Sequence, residues 1–268
     1  MRNIWEEIGE KLKEIERQEN VRIIRAVESG SRAWGFASPD SDYDVRFIYV
    51  RQAEDYLVLN EKRDVIEWQL DETLDINGWD VKKVLRQAYK GNAVLFEWAQ
   101  SPIVYRTTDE WNTLWSVITE YFDARTFIGH YYGIALNTWK DYLAEETVRY
   151  KKYFYALRPL LACRYIETYN IAPPMEFDHL WPMLPTELGD AVDRLLTIKR
   201  KTDESARGPH MPEITGFIQE ELENQRKTLS SLAVIRAKDW MLLNEVYRTL
   251  VLRVSSDDIA ERMPETVR

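Results

Sequence analysis

The chain has 268 residues, with 45 acidic against 36 basic side chains, a formal net charge of −9 and 45% hydrophobic residues. That apolar content can bury a sizeable core, whereas the acidic balance argues against a non-specific grip on nucleic acid, which needs a basic face. No apolar run reaches the roughly 20 residues that cross a bilayer, and the charged amphipathic stretch from Met1 to Asn20 is no signal peptide, so a cytoplasmic protein without membrane contact is expected.

Ile4, Ile8, Leu12 and Ile15 recur at helical spacing and predict a helix laid on a core. Arg22 to Val27, rich in β-branched residues, predicts a strand that runs into Glu28-Ser29-Gly30-Ser31, a turn into a helix start. After the polar loop Ser38-Pro39-Asp40-Ser41, a second strand is expected from Tyr43 to Val50. Val65 to Leu70 and Thr73 to Trp79, flanking Asp71-Glu72, predict a hairpin. Asp80 then caps a helix through Val81, Val84, Leu85 and Ala88, and Gly91-Asn92 breaks it.

Beyond Ser101-Pro102 strand signals disappear. Periodic segments at Asp109 to Tyr121, Ala124 to Ala144, Thr147 to Tyr169, Thr186 to Lys201, Pro212 to Leu232 and Lys238 to Val254, separated by proline and glycine breakers, predict an all-helical half. The expected class is α+β. A small mixed-sheet catalytic domain over 1–108 precedes a helical C-terminal domain over 109–268.

Nucleotidyl transfer needs donors that cradle a triphosphate and carboxylates that hold metal ions against its oxygens. The turn at Gly30-Ser31 offers backbone N–H groups and a hydroxyl to phosphate, with room for close approach at Gly30. On a strand, residues two apart share a face, so Asp42 and Asp44 project together as a hard oxygen pair suited to magnesium, with manganese as the alternative. A third carboxylate is expected from a neighbouring strand, and Asp75, in an apolar-Asp-apolar pattern, is preferred to Asp80, which has a capping role, and to Glu67. Arg46 shares the face of the pair and either contacts phosphate or pairs with Asp42 or Asp44.

The segment from Gly30-Ser31-Arg32-Ala33-Trp34-Gly35-Phe36 to Asp40-Ser41-Asp42-Tyr43-Asp44-Val45-Arg46 resembles the DNA polymerase β-like nucleotidyltransferase superfamily. More narrowly, it looks like the predicted nucleotidyltransferases associated with RNA ligases. Asp75 to Lys83, Lys90-Gly91-Asn92, Glu97-Trp98, Ser101-Pro102, Lys151 to Leu160 and Pro173-Pro174 carry the same resemblance. It implies a magnesium enzyme that moves a nucleoside monophosphate from a nucleoside triphosphate to a hydroxyl, most readily on RNA ends and beside an RNA ligase. It also implies catalytic and metal-binding roles for Asp42, Asp44 and Asp75. Gly30, Ser31, Arg32 and Arg46 are implied in nucleotide binding, as are Lys152 and Arg158 from the helical half; a solvated helix face is the plainer account of Arg149 to Lys152. A nucleotide-binding sensor without catalysis, or a transferase acting on protein or a small molecule, are the alternatives.

The remaining polar residues have plainer explanations. Cys163 is expected to be a packed thiol, and His130 a packing residue with substrate contact as its alternative. His179 and His210 lack metal-ligand spacing. Most aromatics fit a core, while Trp34 and Tyr43 flank the motif closely enough to stack on a base; Asn92 and Glu97 are either supports of the site or capping and surface groups.

Overall fold

The computed structural model describes residues 3–70, 73–145, 147–233 and 239–262, so the expected turn at Asp71-Glu72 lies outside the described residues. Helix α1, Ile4–Glu19, is capped by the Asn3 side chain and closed by Asn20 in a left-handed conformation. Its apolar stripe Ile8, Leu12 and Ile15 is buried. Strand β1, Val21–Ser29, runs into the single turn α2, Gly30–Ala33, and then, through the 34–42 loop, into β2, Tyr43–Arg51. A short α3, Ala53–Tyr56, precedes β3, Val65–Leu70, and β4, Leu74–Asp80. Helices α4, Val81–Tyr89, and α5, Ala93–Ala99, start on the caps Asp80 and Asn92, both of whose side chains accept backbone N–H bonds.

Strand β5, Val104–Thr107, completes a sheet of order β3-β4-β2-β1-β5. The sheet is mixed: β2 and β4 are parallel and the other neighbours antiparallel. The helical half contains α6, Asp109–Ile118, and α7, Ala124–Thr138, which passes into a π turn, Trp139–Leu143. Then come β6, Thr147–Arg149, α8, Tyr150–Tyr169, α9, Phe177–Leu180, α10, Gly189–Lys201, β7, Arg207–Pro209, α11, Pro212–Ser231, and α12, Met241–Arg262.

The expectation that strands end at Ser101-Pro102 is therefore corrected. Strand β5 joins the main sheet at its edge, and β6 and β7 pair with each other. Runs of three or four residues are too short to show a two-residue alternation, and their existence depends on a distant partner strand. A second correction concerns Asp42, which lies one residue before β2 and is exposed.

The two faces of the sheet have different covers. Val45, Phe47, Tyr49, Leu74 and Ile76 pack with α1 in one apolar cluster. Ile24, Val27, Ile48 and Val50 face the other way and join a single core that runs through α4 to α12. The alternation in β2 and β4 consequently turns Asp44, Arg46, Asp75 and Asn77 towards the helical half, at the end of the sheet where β1 passes into α2. Pro159 inside α8 has no N–H for the Tyr155 carbonyl, and Thr138 Oγ1 donates to that carbonyl at 3.5 Å. Among the described residues no helix is long and apolar enough to cross a membrane.

Candidate active site

Parallel pairing of β2 with β4 sets Asp44 directly beside Asp75. The Arg46 guanidinium lies between them, its Nη2 donating to Asp44 Oδ1 at 3.0 Å and to Asp75 Oδ2 at 2.6 Å, and its Nη1 to the Asp75 carbonyl at 2.9 Å. Of the two roles expected for Arg46, the carboxylate pairing is the one present, with Asp75 as the second partner. Burial raises the Asp44 pKa; Arg46 opposes the shift, and the charges of Asp75, Asp42 and Glu204 reinforce it.

Gly30 makes this arrangement sterically feasible. Its φ is +63°, and a Cβ there would lie 2.1 Å from Asp44 Oδ2. A residue with a side chain would both strain the backbone and push Asp44 out of place.

The competing third carboxylates are occupied elsewhere. Asp80 sits at the far end of β4, accepts the Lys82 N–H at 2.7 Å as the cap of α4 and accepts the Tyr56 hydroxyl at 3.0 Å. Glu67 is exposed and pairs with Arg63 at 2.9 Å. Asp75 is the carboxylate that register places beside Asp44.

Arg32 is committed to the loop that delivers Asp42. Its Nε donates to the Asp42 carbonyl at 3.0 Å, its Nη2 to the Ser41 carbonyl, and the guanidinium lies 3.8 Å from the Tyr43 ring centroid. Trp34 is likewise engaged, against Phe36, Tyr155 and the Arg158 guanidinium. Arg158 is almost fully buried, donating to Glu97 Oε1 at 2.8 Å and to the Met175 carbonyl at 3.0 Å. Lys152 rests on Tyr142, 3.5 Å from the ring centroid, and lies 5.3 Å from that of Tyr155. The structure thus brings Gly30, Ser31, Asp42, Asp44, Arg46 and Asp75 together, and directs Arg158 and Lys152 to other partners.

Other basic groups from the helical half do reach the motif. Ser31 Oγ donates to Ser41 Oγ at 3.1 Å, and Ser41 Oγ donates to Glu204 Oε1 at 2.9 Å. Lys151 Nζ meets Glu204 Oε2 at 2.8 Å. Lys199, whose side chain is 2% exposed, lies 3.8 Å from Glu204 Oε1 and donates to Ser38 Oγ. The basic runs at 149–152 and 199–201 contained these lysines, but sequence does not tell which member of a run turns inwards.

Glu28 is a further group that sequence reasoning passed over. It is fully buried on the α1 side of the sheet, where Oε1 accepts the Asp44 N–H at 2.8 Å and Oε2 accepts the Tyr105 hydroxyl at 2.5 Å. The one available signal was the single carboxylate of β1, two residues after Ala26 of the α1-side apolar cluster. Burial pushes its pKa up to about 7 from the ordinary 4.5, against the opposing hydrogen bonds of Tyr105 and the Asp44 N–H.

A raised carboxyl pKa has a defined effect on stability. Below pH 4.5 folded and unfolded chains both hold the proton; between about 4.5 and 7 the unfolded chain releases it first, so stability falls as pH rises through this window. Thermal melts across that range should show a shallower decline for Glu28→Gln than for the wild type. Asp80, pushed up to about 6 mainly by burial, contributes its own decline in both proteins. An unchanged slope in the variant would remove Glu28 as the responsible group.

Among the described residues no three His, Cys, Asp or Glu side chains close into a finished metal cage. The donor chemistry nonetheless fits magnesium: Asp44 and Asp75 are hard oxygen donors already sharing one cationic group, and Asp42, on the approach to β2, is near enough for its charge to raise the Asp44 pKa.

A model of the RNA repair pathway DNA polymerase beta family (RlaP) matches residues 4–249. The chain belongs to that family. As a member of the RNA repair pathway DNA polymerase beta family it has the α+β architecture expected from its sequence, and the family indicates a polymerase β-like nucleotidyltransferase. It is 42% identical over 249 residues to the uncharacterized protein YcgL of Bacillus subtilis (strain 168), a match covering 91% of this chain and 94% of YcgL. A solved nucleotidyltransferase-like protein from Exiguobacterium sibiricum 255-15 overlaps 92% of this chain and 80% of its own, at 14% identity and a TM-score of 0.33.

Proposed function

We propose that this member of the RNA repair pathway DNA polymerase beta family transfers a nucleoside monophosphate from a nucleoside triphosphate to a hydroxyl at an RNA end, releasing pyrophosphate. The observation that carries the reading is the in-register pair Asp44 and Asp75, with Asp42 at the mouth of the strand, facing the Gly30-Ser31 turn. The family's assignment to RNA repair favours RNA as the acceptor.

Asp42, Asp44 and Asp75 are the residues to hold magnesium, which when bound neutralises triphosphate charge and acidifies an acceptor hydroxyl. The Ser31 and Ser41 hydroxyls, with Lys151 and Lys199 close by, bind the outer phosphates. Arg46 neutralises Asp44 and Asp75 and keeps them in place. The acceptor oxygen forms a bond to the α-phosphorus as the bond from that phosphorus to the α–β bridging oxygen breaks. Pyrophosphate leaves with the electron pair, and the acceptor proton passes to solvent.

The test supplies each labelled nucleoside triphosphate with magnesium and either RNAs of defined end chemistry or total cell protein. Label in RNA with matching pyrophosphate release is expected. Label in the protein pool would overturn the acceptor assignment, and no pyrophosphate from any nucleotide would overturn the transfer reaction.

A further inference from the structure

The cradle assigned above to the outer phosphates contains a carboxylate of the protein's own. Glu204 lies in the turn between α10 and β7, yet both of its oxygens point into the motif. Oε1 accepts from Ser41 Oγ at 2.9 Å, with Lys199 Nζ 3.8 Å away, and Oε2 meets Lys151 Nζ at 2.8 Å. Through Ser41 the Ser31 hydroxyl is drawn into the same chain. Two lysines and a hydroxyl relay around two oxygens make a set that a terminal phosphate would satisfy equally well, because it too offers anionic oxygens to charged and neutral donors.

We infer that Glu204 is an internal competitor for this cradle, which the outer phosphates of the incoming triphosphate displace. The inference rests on the phosphate-binding role given to Ser31, Ser41, Lys151 and Lys199. Three features make displacement feasible. Glu204 is only partly buried, with side-chain exposure of 29%, and its neighbours Asp203 and Ser205 are exposed, so it can swing outwards without opening the core. Lys199 keeps a partner when the carboxylate leaves, since it also donates to Ser38 Oγ. The turn stays tethered through the Glu204 N–H, which is 3.2 Å from both carboxylate oxygens of Asp40.

The electrostatic arrangement agrees with such a switch. The carboxyl pKa of Glu204 is lowered, burial being outweighed by the hydrogen bonds and charges of Lys151, Ser41 and Lys199, so it presents a full negative charge to the lysines. That charge also bears on Asp44, raising its pKa. Replacing Glu204 by a phosphate keeps the lysines neutralised; removing it without a replacement leaves a buried lysine short of its counter-charge.

Inorganic tripolyphosphate, titrated calorimetrically in the presence of a metal chelator, tests the cradle apart from nucleotide, magnesium and acceptor. Glu204→Gln should bind it about tenfold more tightly than wild type, because an amide competes less well for two lysines. Lys199→Met should bind it more weakly than wild type. Thermal melts guard against misfolding: Glu204→Gln should melt lower without ligand and gain more on adding tripolyphosphate. Equal or weaker binding by a folded Glu204→Gln protein, or no binding by either protein, would overturn the inference. The two readings can fail separately. Tighter binding by the variant with no transfer by wild type sinks the transfer reaction alone, and transfer without tighter binding sinks only the competitor.

Discussion

Asp44→Asn should lower nucleotide transfer by about 1000-fold or more, the scale at which loss of a group that stabilises developing charge is felt, while leaving the fold intact. The reason for expecting both results lies in the environment of the carboxylate. Its charge is disfavoured by burial and by Asp75, Asp42 and Glu204, and favoured by Arg46. Asparagine removes that charge at constant shape and leaves Arg46 its 2.6 Å contact to Asp75 Oδ2. The melting temperature should therefore stay level or rise. A residue that costs stability yet is held in place by a glycine with φ of +63° and a strand register is one kept for its chemistry.

Pyrophosphate release by the purified variant, read beside its thermal melt, checks the prediction. Asp75→Asn should lower transfer on the same scale. Asp80→Asn is the contrasting case, because asparagine caps a helix as well as aspartate does and Asp80 faces Tyr56 and Lys82 at the other end of the strand. Its transfer rate should match wild type. Retained transfer in Asp44→Asn, or its loss in Asp80→Asn, would move the reacting centre away from the start of β2.

Features with a local signature were legible in the sequence. The stripe Ile8, Leu12 and Ile15, the caps Asp80 and Asn92, and the strands around Gly30-Ser31 and Asp44 each follow from spacing or composition within a few residues. Asp75 was readable as apolar-Asp-apolar, but its register with Asp44 is a tertiary fact. What escaped depends on distant partners. Ser38 and Lys199 are separated by 161 positions, and Ser41 and Glu204 by 163, so no window of sequence contains both ends of either contact. Basic runs announce charge without announcing direction. Lys151 and Lys152 are neighbours in the first turn of α8, where a step of about 100° per residue sends one to Glu204 and the other to Tyr142.

Arg158 illustrates the same limit with the largest expected effect on stability. The resemblance to ligase-associated nucleotidyltransferases implies that it binds nucleotide, yet its guanidinium is buried against Trp34 and pairs with Glu97, which also accepts the Tyr131 hydroxyl at 3.0 Å. This network ties α8 to α5 and α7. Arg158→Met should cost about 3–5 kcal/mol, because it strands the Glu97 carboxylate without its counter-charge. Arg158→Lys should also be costly, since one ammonium cannot reproduce the bonds to both Glu97 and the Met175 carbonyl. Adding Glu97→Leu to Arg158→Met should recover part of the loss by removing the orphaned charge. Urea unfolding of the three variants measures each quantity. Nucleotide affinity, measured where Arg158→Met is still folded, separates the two roles: unchanged affinity with a large stability loss identifies a group that holds α8 to α5 and α7, whereas weakened affinity with little stability loss would return Arg158 to the phosphates.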